Sequence, residues 1–178
     1  MPGLPALEGR PLKVVTLSES MRIGSGYDSH AFDPERPLIL GGVRIPDHPG
    51  LRGHSDGDAV AHALTDAILG AAGLGDIGSH FPPEDPAWEG ADSIELLRSA
   101  AALVFSAGHI VGNVDVTVIC ESPKIRPSAA AMREVLAEAL SVSPDRVSIK
   151  GKTNERMGWE GRGEGIAVHA VALLHARG

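Results

Sequence analysis

The chain is poor in cysteine, aromatic residues and positive charge, and each shortage excludes a class of protein. One cysteine, Cys120, in 178 residues permits neither an internal disulfide nor a cysteine-based zinc knuckle, and we expect it to pack rather than react. Lys and Arg number 16 against 23 Asp and Glu, without the broad basic footprint that nucleic-acid binding requires. No apolar run approaches the roughly 18 residues that span a membrane. We therefore expect a cytoplasmic protein that binds neither nucleic acid nor membrane.

The first 20 residues differ from the rest of the chain. They contain three prolines and no sustained periodicity, and their longest apolar stretch, Val14 to Leu17, is too short for a secretory signal. A sharply patterned sequence begins at Met21. We therefore predict a dispensable N-terminal extension over residues 1–20 and a single domain over residues 21–178.

Hydrophobic periodicity after Met21 alternates between strands and helices. The predicted strands are residues 22–27, 38–40, 43–45, 114–120, 147–150 and 164–174, with a two-residue hairpin turn at Gly41-Gly42. The predicted helices run from Ser55 or Asp56 to Ala72, from Asp92 or Ser93 to Gly108 with Phe105 facing inward, and from Ser128 to Leu140. This order predicts an α+β fold in which a mixed β-sheet carries three main helices on one face.

Asp28, His30 and His62 are candidate ligands of a divalent cation. Residues two apart in an extended segment point to the same side, so Asp28 and His30 can share one ion. His62 lies mid-helix among apolar residues, in a polar stripe with Asp58 and Asp66, either of which could orient its imidazole. Two histidines and one aspartate suit zinc and leave its fourth position open, as in a catalytic site. From spacing alone, a solvated helix face and a surface Asp-x-His pair remain the alternative.

Two further segments suit a phosphate group. His54-Ser55 precedes the first predicted helix, where free N–H groups and the positive end of the helix dipole favour an anion. Residues 151–155 (GKTNE) combine an ammonium, a hydroxyl and backbone N–H groups with the Glu155 carboxylate, which suits Mg²⁺ or Mn²⁺. Taken singly, Ser55 is explained as a helix cap and the glycine-rich segment as a turn.

Taken together, these segments resemble the 2-C-methyl-D-erythritol 2,4-cyclodiphosphate synthase family of the non-mevalonate isoprenoid pathway. The resemblance extends from Arg22 to about Leu174. The segments that carry it are residues 22–30 (RIGSGYDSH), 54–58 (HSDGD), 62–66 (HALTD), 75–78 (GDIG), 112–115 (GNVD) and 161–167 (GRGEGIA).

The resemblance implies a homotrimer with active sites between neighbouring subunits. It implies conversion of 4-diphosphocytidyl-2-C-methyl-D-erythritol 2-phosphate to the cyclic diphosphate, with release of CMP. It also implies zinc, or another divalent ion, at Asp28, His30 and His62, and a second ion, Mg²⁺ or Mn²⁺, at Glu155. His54 and Thr153 match the residues that stabilise the transition state.

The resemblance further implies a set of substrate contacts. Those around the metal and the methylerythritol phosphate are Asp28, Ser29, His30, His54, Ser55, Asp76, Ile77, Gly78, Phe81, Pro82, Pro83, Glu84 and Asp85. Those in the cytidine-facing loop are Cys120, Glu121, Ser122, Pro123, Lys124, Ile125 and Arg126. Those in the diphosphate loop are Lys152, Thr153, Asn154 and Glu155, with further contacts at Trp159 and Arg162.

Two other functions remain open at this point. A zinc-dependent phosphodiesterase or phosphatase could use the same Asp/His/His set to activate a water molecule. A non-catalytic trimeric binding protein could retain the fold alone. The cyclisation differs from both because its nucleophile is the substrate's own phosphate, which is already anionic and needs little help from a general base.

Overall fold

A five-stranded mixed sheet with three main helices forms the domain. The computed structural model describes residues 21–88 and 90–177, so the predicted extension over residues 1–20 lies outside the described residues. The strands are β1 (Arg22–Leu40), β2 (Val43–Leu51), β3 (His109–Ile119), β4 (Val147–Lys152) and β5 (Gly165–Ala176). The main helices are α1 (Ala59–Ala72), α3 (Ser93–Ser106) and α4 (Ala129–Leu140), with short helices α2 (Ile77–His80) and α5 (Gly158–Gly161).

The strand order is β2-β1-β5-β3-β4, and only the β3–β4 pair is parallel. Helix α1 packs on β1 and β5, while α3 and α4 continue the helical layer over β3 and β4. The predicted α+β class, with a mixed sheet and three main helices, is therefore confirmed. Among the described residues, no helix has the length and apolar character needed to cross a membrane.

Strand β1 is one strand of 19 residues where the sequence predicts two short ones. The polar, proline-bearing stretch between the predicted strands gives no hydrophobic alternation. Hydrogen bonding to neighbouring strands nevertheless makes this stretch part of β1. Residues up to Ala31 pair with β5, and residues from Phe32 onward pair with β2. The predicted hairpin is confirmed, because Gly41 and Gly42 both have the positive φ angles, 57° and 72°, that a type I′ turn requires.

Helix α1 begins differently from the prediction, because its cap is Asp58 rather than Ser55 or Asp56. The Asp58 carboxylate accepts hydrogen bonds from the N–H groups of Val60 and Ala61 at 3.0 and 3.1 Å. It also accepts from Gly41 and Gly42 at 2.8 and 2.6 Å, and so ties the helix to the β1–β2 hairpin. Burial raises the pKa of Asp58, although hydrogen bonds from the N–H groups of Gly42, Gly41 and Ala61 oppose that effect.

The prediction that Phe105 faces inward is wrong. Its side chain is 51% exposed at the C-terminal end of α3. The guanidinium of Arg177 lies 4.3 Å from the centre of its ring, in a cation–π contact that covers part of the surface. Helical periodicity does not reveal this exposure, because Phe105 lies one residue before the end of α3.

Two glycines of β1 allow α1 to lie directly on the strand. A Cβ atom at Gly24 would lie 2.0 Å from the carbonyl oxygen of Ala67, and one at Gly26 would lie 1.9 Å from that of Ala63. Only glycines opposite small helical residues permit this approach. The approach brings His62, next to Ala63 in the helix, over the strand residues that follow Gly26.

The opposite face of the sheet carries no helix among the described residues. The alternation of β1 and β5 places Ile23, Tyr27 and Val171 there, with exposed fractions of 74%, 50% and 47%. Tyr27 packs against the neighbouring His169, with 4.9 Å between the ring centres. Large apolar side chains grouped on an open sheet face are typical of a surface that binds another protein chain.

The close approach of α1 to β1 gives a stability prediction. We expect Gly26→Ala to lower the free energy of unfolding by about 3 kcal/mol, because the new methyl group must displace the α1 backbone. Gly70→Ala is the matched control. Gly70 lies in α1, the helix that packs on Gly26, and has open space around its Cβ position. It should stabilise the protein by about 0.5–1 kcal/mol. Urea unfolding at equal protein concentration measures both, and equal stabilities for the two variants would contradict the packing described.

Candidate metal centre and adjoining cavities

Asp28, His30 and His62 converge on one point between β1 and α1. Asp28 Oδ2 lies 2.8 Å from His30 Nε2 and 3.0 Å from His62 Nδ1, and the two nitrogens are 3.4 Å apart. A tetrahedral zinc ion with bonds of about 2.0–2.1 Å separates its ligand atoms by about 3.3 Å. The three atoms therefore have the spacing of ligands to a single divalent ion. The prediction that these residues meet is confirmed.

The charge of the cluster suits a cation. Burial alone raises the pKa of Asp28, but hydrogen bonds to His30 and His62 outweigh it and hold that pKa well below its usual range. Burial lowers the pKa of His30, but the hydrogen bond to Asp28 and the negative charge of that carboxylate together raise the pKa above its usual value. The carboxylate is consequently ionised at neutral pH and supplies the negative charge that attracts a cation.

The surroundings of His62 differ from the prediction. Its Nε2 atom lies 2.9 Å from the hydroxyl oxygens of both Ser55 and Ser93. Asp58 caps α1 instead of orienting His62, and Asp66 accepts a hydrogen bond from the N–H of Ile77 at 2.8 Å. Helical spacing put both acids on the same stripe as His62, but backbone N–H groups attract their carboxylates more strongly.

A cavity of about 250 Å³ adjoins the cluster. The residues lining it are His30, His54, Ser55, His62, Ile77, Gly78, Phe81, Pro83, Trp88 and Leu96. All except Trp88 and Leu96 were expected at the site. Trp88 meets Phe81 edge-on, with 5.1 Å between ring centres. A tryptophan in a loop rich in Gly, Pro and acid, in a chain with few aromatics, was the signal that could have identified it.

Neighbouring predicted residues shape this cavity. Asp76 caps α2 by accepting from the N–H and hydroxyl of Ser79, at 2.8 and 2.6 Å. Ser29 is exposed, and its N–H donates to Asp28 Oδ1 at 2.8 Å, which helps to fix that ligand. Asp85 accepts a hydrogen bond from a backbone N–H two residues on. Pro82 is half-buried and Glu84 is exposed.

A second cavity of about 380 Å³ lies at the ends of β3 and β4. The residues lining it are Cys120, Pro123, Lys124, Ile125, Arg126, Gly151, Lys152, Thr153 and Glu155. Glu121 holds the loop that follows β4, since its carboxylate accepts from the N–H groups of Asn154 and Arg156, both at 3.1 Å. Thr153 donates its hydroxyl to Glu155 at 2.6 Å. Ser122 is exposed on the facing loop.

Cys120 is buried at the base of this cavity. Burial raises the pKa of its thiol to about 11. A protonated thiol is a poor nucleophile, so the residue packs as the sequence indicated.

The two cavities are separate within one chain. Asp28, Val168, Val118 and Gly151 pair in one row across four strands. Three strand spacings place Gly151 about 14 Å from Asp28. Of the described residues, none lines both cavities. Trp159 and Arg162 line neither, and Arg162 forms an ion pair with Glu164 at 2.6 Å.

Comparisons with known proteins show which proteins the chain is similar to. Residues 21–175 match the YgbB family. A 2-C-methyl-D-erythritol 2,4-cyclodiphosphate synthase from Symbiobacterium thermophilum is 59% identical over 157 residues, which are 88% of this chain and 100% of that protein. The bifunctional IspDF from Campylobacter jejuni is 43% identical with a TM-score of 0.86, covering 89% of this chain and 43% of that longer one. A Plasmodium falciparum IspF structure in complex with CDP is 37% identical with a TM-score of 0.77, covering 89% and 97% of the two chains.

The converging ligand atoms give a metal-binding prediction. We expect Asp28→Ala and His62→Ala each to lose bound zinc while the protein stays folded, because each removes one of three donors. Asp66→Asn is the control on the same helix and should retain zinc. Elemental analysis of the purified proteins measures the metal, with circular dichroism to verify folding. Stoichiometric zinc in either alanine variant would contradict the ligand assignment.

Proposed function

The chain belongs to the YgbB family, and from that premise we propose that it is a 2-C-methyl-D-erythritol 2,4-cyclodiphosphate synthase. Its substrate is 4-diphosphocytidyl-2-C-methyl-D-erythritol 2-phosphate. A 2-phosphate oxygen attacks the β-phosphorus of the diphosphate, the bond from that phosphorus to the bridging oxygen breaks, and CMP leaves with the bridging oxygen. The match begins at residue 21, which supports residues 21–178 as the catalytic domain and residues 1–20 as dispensable.

The observation that carries this proposal is the Asp28/His30/His62 cluster opening onto a cavity that also contains His54. The donor set and its spacing fit zinc, with Glu155 of the second cavity as the carboxylate for Mg²⁺ or Mn²⁺. Such cations, when bound, polarise phosphate oxygens and offset the repulsion between two phosphate groups. His54 and Ser55, at the same cavity, supply hydrogen-bond donors to a phosphate.

The chain's own residues supply mainly positioning. The cyclisation requires the two phosphate ends of one flexible molecule to meet, and holding them together accounts for about 7–11 kcal/mol in well-oriented intramolecular reactions. Ile77, Phe81, Trp88 and Leu96 give the first cavity an apolar wall. That wall suits the methyl-bearing carbon chain, and it excludes water that would otherwise compete as nucleophile.

The second cavity suits the nucleotide half of the substrate. Lys124, Arg126 and Lys152 surround it with positive charge, which complements a diphosphate. Thr153 presents a hydroxyl beside the Glu155 carboxylate, and Glu121 holds their loop in place. These contacts support Thr153 as a donor to the transition state and residues 120–126 as the cytidine-facing loop. Trp159 and Arg162 are assigned to further ligand contacts by their match to the family alone.

A homotrimer with shared active sites explains why one chain holds two half-sites. The cavities lie about 14 Å apart or more, by three strand spacings. Among residues 21–88 and 90–177, nothing covers the sheet face that bears Ile23, Tyr27 and Val171, whose side chains are exposed. In the proposed trimer these faces pack together in a closed ring, and each active site combines the metal cavity of one subunit with the nucleotide cavity of its neighbour.

Turnover in ¹⁸O-labelled water separates the synthase from a zinc hydrolase. In the synthase reaction no water enters a new bond, so we expect CMP and the cyclic diphosphate to appear in equal amounts without label. A phosphodiesterase or phosphatase would place one solvent oxygen in its phosphate product. Mass spectrometry of the products identifies them and measures their ¹⁸O content. Labelled linear products would overturn the proposal, as would the absence of any turnover.

Mixed trimers test the sharing of sites between subunits. We expect Asp28→Asn and Thr153→Ala to be nearly inactive alone, because each damages a different half-site. Co-expressed in equal amounts, they should regain about a quarter of the normal activity, since that share of sites combines two undamaged halves. Co-expression of Asp28→Asn with His62→Ala is the matched control and should regain none. If the first pair also recovers nothing, the sites do not lie between subunits.

A further inference from the structure

Behind the metal cluster, a chain of hydrogen bonds leads from His62 through the buried Ser93 to the half-buried carboxylate of Asp56. We propose that Ser93 and Asp56 are positioning residues for the metal centre. They hold His62 with a proton on Nε2, so that the lone pair of Nδ1 points toward Asp28 and His30. This inference rests on the metal site of the proposed function and adds residues that the sequence marked only as helix-cap candidates.

The geometry connects the three side chains in series. Ser93 is the first residue of α3 and its side chain is fully buried. Its hydroxyl oxygen lies 2.5 Å from Asp56 Oδ1 and 2.9 Å from His62 Nε2. The N–H of Ser93 donates to Asp56 Oδ2 at 3.2 Å, so both oxygens of the carboxylate are engaged.

The direction of these hydrogen bonds follows from the carboxylate. An ionised carboxylate can only accept, so the single proton of the Ser93 hydroxyl goes to Asp56. The Ser93 oxygen then faces His62 with a lone pair, and only a protonated Nε2 makes an attractive contact with it. Since neutral imidazole carries one proton, Nδ1 is left with the lone pair that a metal ion requires.

Ser55 provides the internal comparison. Its hydroxyl oxygen also lies 2.9 Å from His62 Nε2, and it accepts from the N–H of Gly57 at 3.3 Å. The Ser93 hydroxyl oxygen lies 3.2 Å from the Ser55 hydroxyl oxygen. Ser55 therefore contacts the same nitrogen without fixing the position of its proton, because no carboxylate orients the Ser55 hydroxyl as Asp56 orients that of Ser93.

Asp56 is itself held in place. Its Oδ1 atom accepts from the N–H of Asp58 at 3.1 Å, and its own N–H donates to the carbonyl of Ala91 at 3.2 Å. The carboxylate thus bridges the start of α1 to the start of α3. Asp56→Asn keeps this shape but introduces an amide donor, which allows Ser93 to turn its proton toward His62 and oppose metal binding at Nδ1.

Zinc affinity is the decisive measurement. Metal-free protein, prepared with a chelator, is titrated with zinc against a chromogenic competitor, and folding is verified by circular dichroism. We expect Ser93→Ala and Asp56→Asn to bind zinc about 10–100-fold more weakly, the usual effect of removing a group that orients a ligand. Ser55→Ala should lose much less. Should Ser93→Ala fail to fold, Asp56→Asn decides, since it changes no volume.

A spectroscopic readout independent of activity accompanies the titration. In zinc-loaded protein with ¹⁵N-labelled histidine, we expect the Nε2 proton of His62 to resonate far downfield and exchange slowly with water. Ser93→Ala should speed that exchange more than Ser55→Ala does. Unchanged zinc affinity in both Ser93→Ala and Asp56→Asn, or an equal loss in Ser55→Ala, would overturn the proposal.

The failures of the two proposals are distinguishable. If the unaltered chain binds no zinc, the metal-site assignment is wrong, and so is the inference about Ser93 and Asp56. If zinc binds with the expected order of affinities but no cyclic diphosphate forms, the role of Ser93 and Asp56 stands and the proposed synthase activity does not.

Discussion

The contact between α1 and β1 at Gly24 and Gly26 is the constraint on which the metal centre depends. A glycine inside a strand costs about 0.5–1 kcal/mol relative to alanine, so two such glycines oppose strand formation. They are offset by burial of the alanine- and leucine-rich face of α1 against the sheet. Because the backbones nearly touch, a helix residue and two strand residues bring ligand atoms within 3.4 Å of one another.

Four aspartates near α1 show how surroundings decide the role of a carboxylate. Asp58 is fully buried and satisfied by backbone N–H groups. Asp66 holds the loop that leads into α2, and Asp56 bridges α1 and α3. Only Asp28 faces two imidazole nitrogens, which leaves its negative charge available to a cation. The other three acids hold the hairpin, the α2 loop and the start of α3 around the candidate metal site.

Local patterns in the sequence predicted what depends on near neighbours. The Gly41-Gly42 turn, the apolar face of α1 and the shared direction of Asp28 and His30 follow from rules that span a few residues. Contacts between distant segments were not predictable in this way. Ser93 meets His62 across 31 positions, and Asp58 meets the hairpin 16 and 17 positions earlier. Hydrophobic alternation also cannot reveal that the predicted site residues divide between two cavities.

The burial of Cys120 has a practical consequence. Its thiol is the chain's only one, and with a pKa of about 11 it is almost entirely protonated at neutral pH. Thiolates are the nucleophiles that attack maleimides and thiol-specific nitroxide reagents, so the buried, protonated Cys120 reacts with them very slowly. A cysteine introduced at a chosen surface position would therefore take up a single fluorophore or spin label without prior removal of the native residue. Such a label would test the proposed trimer by distance measurements in solution, on an otherwise unaltered background.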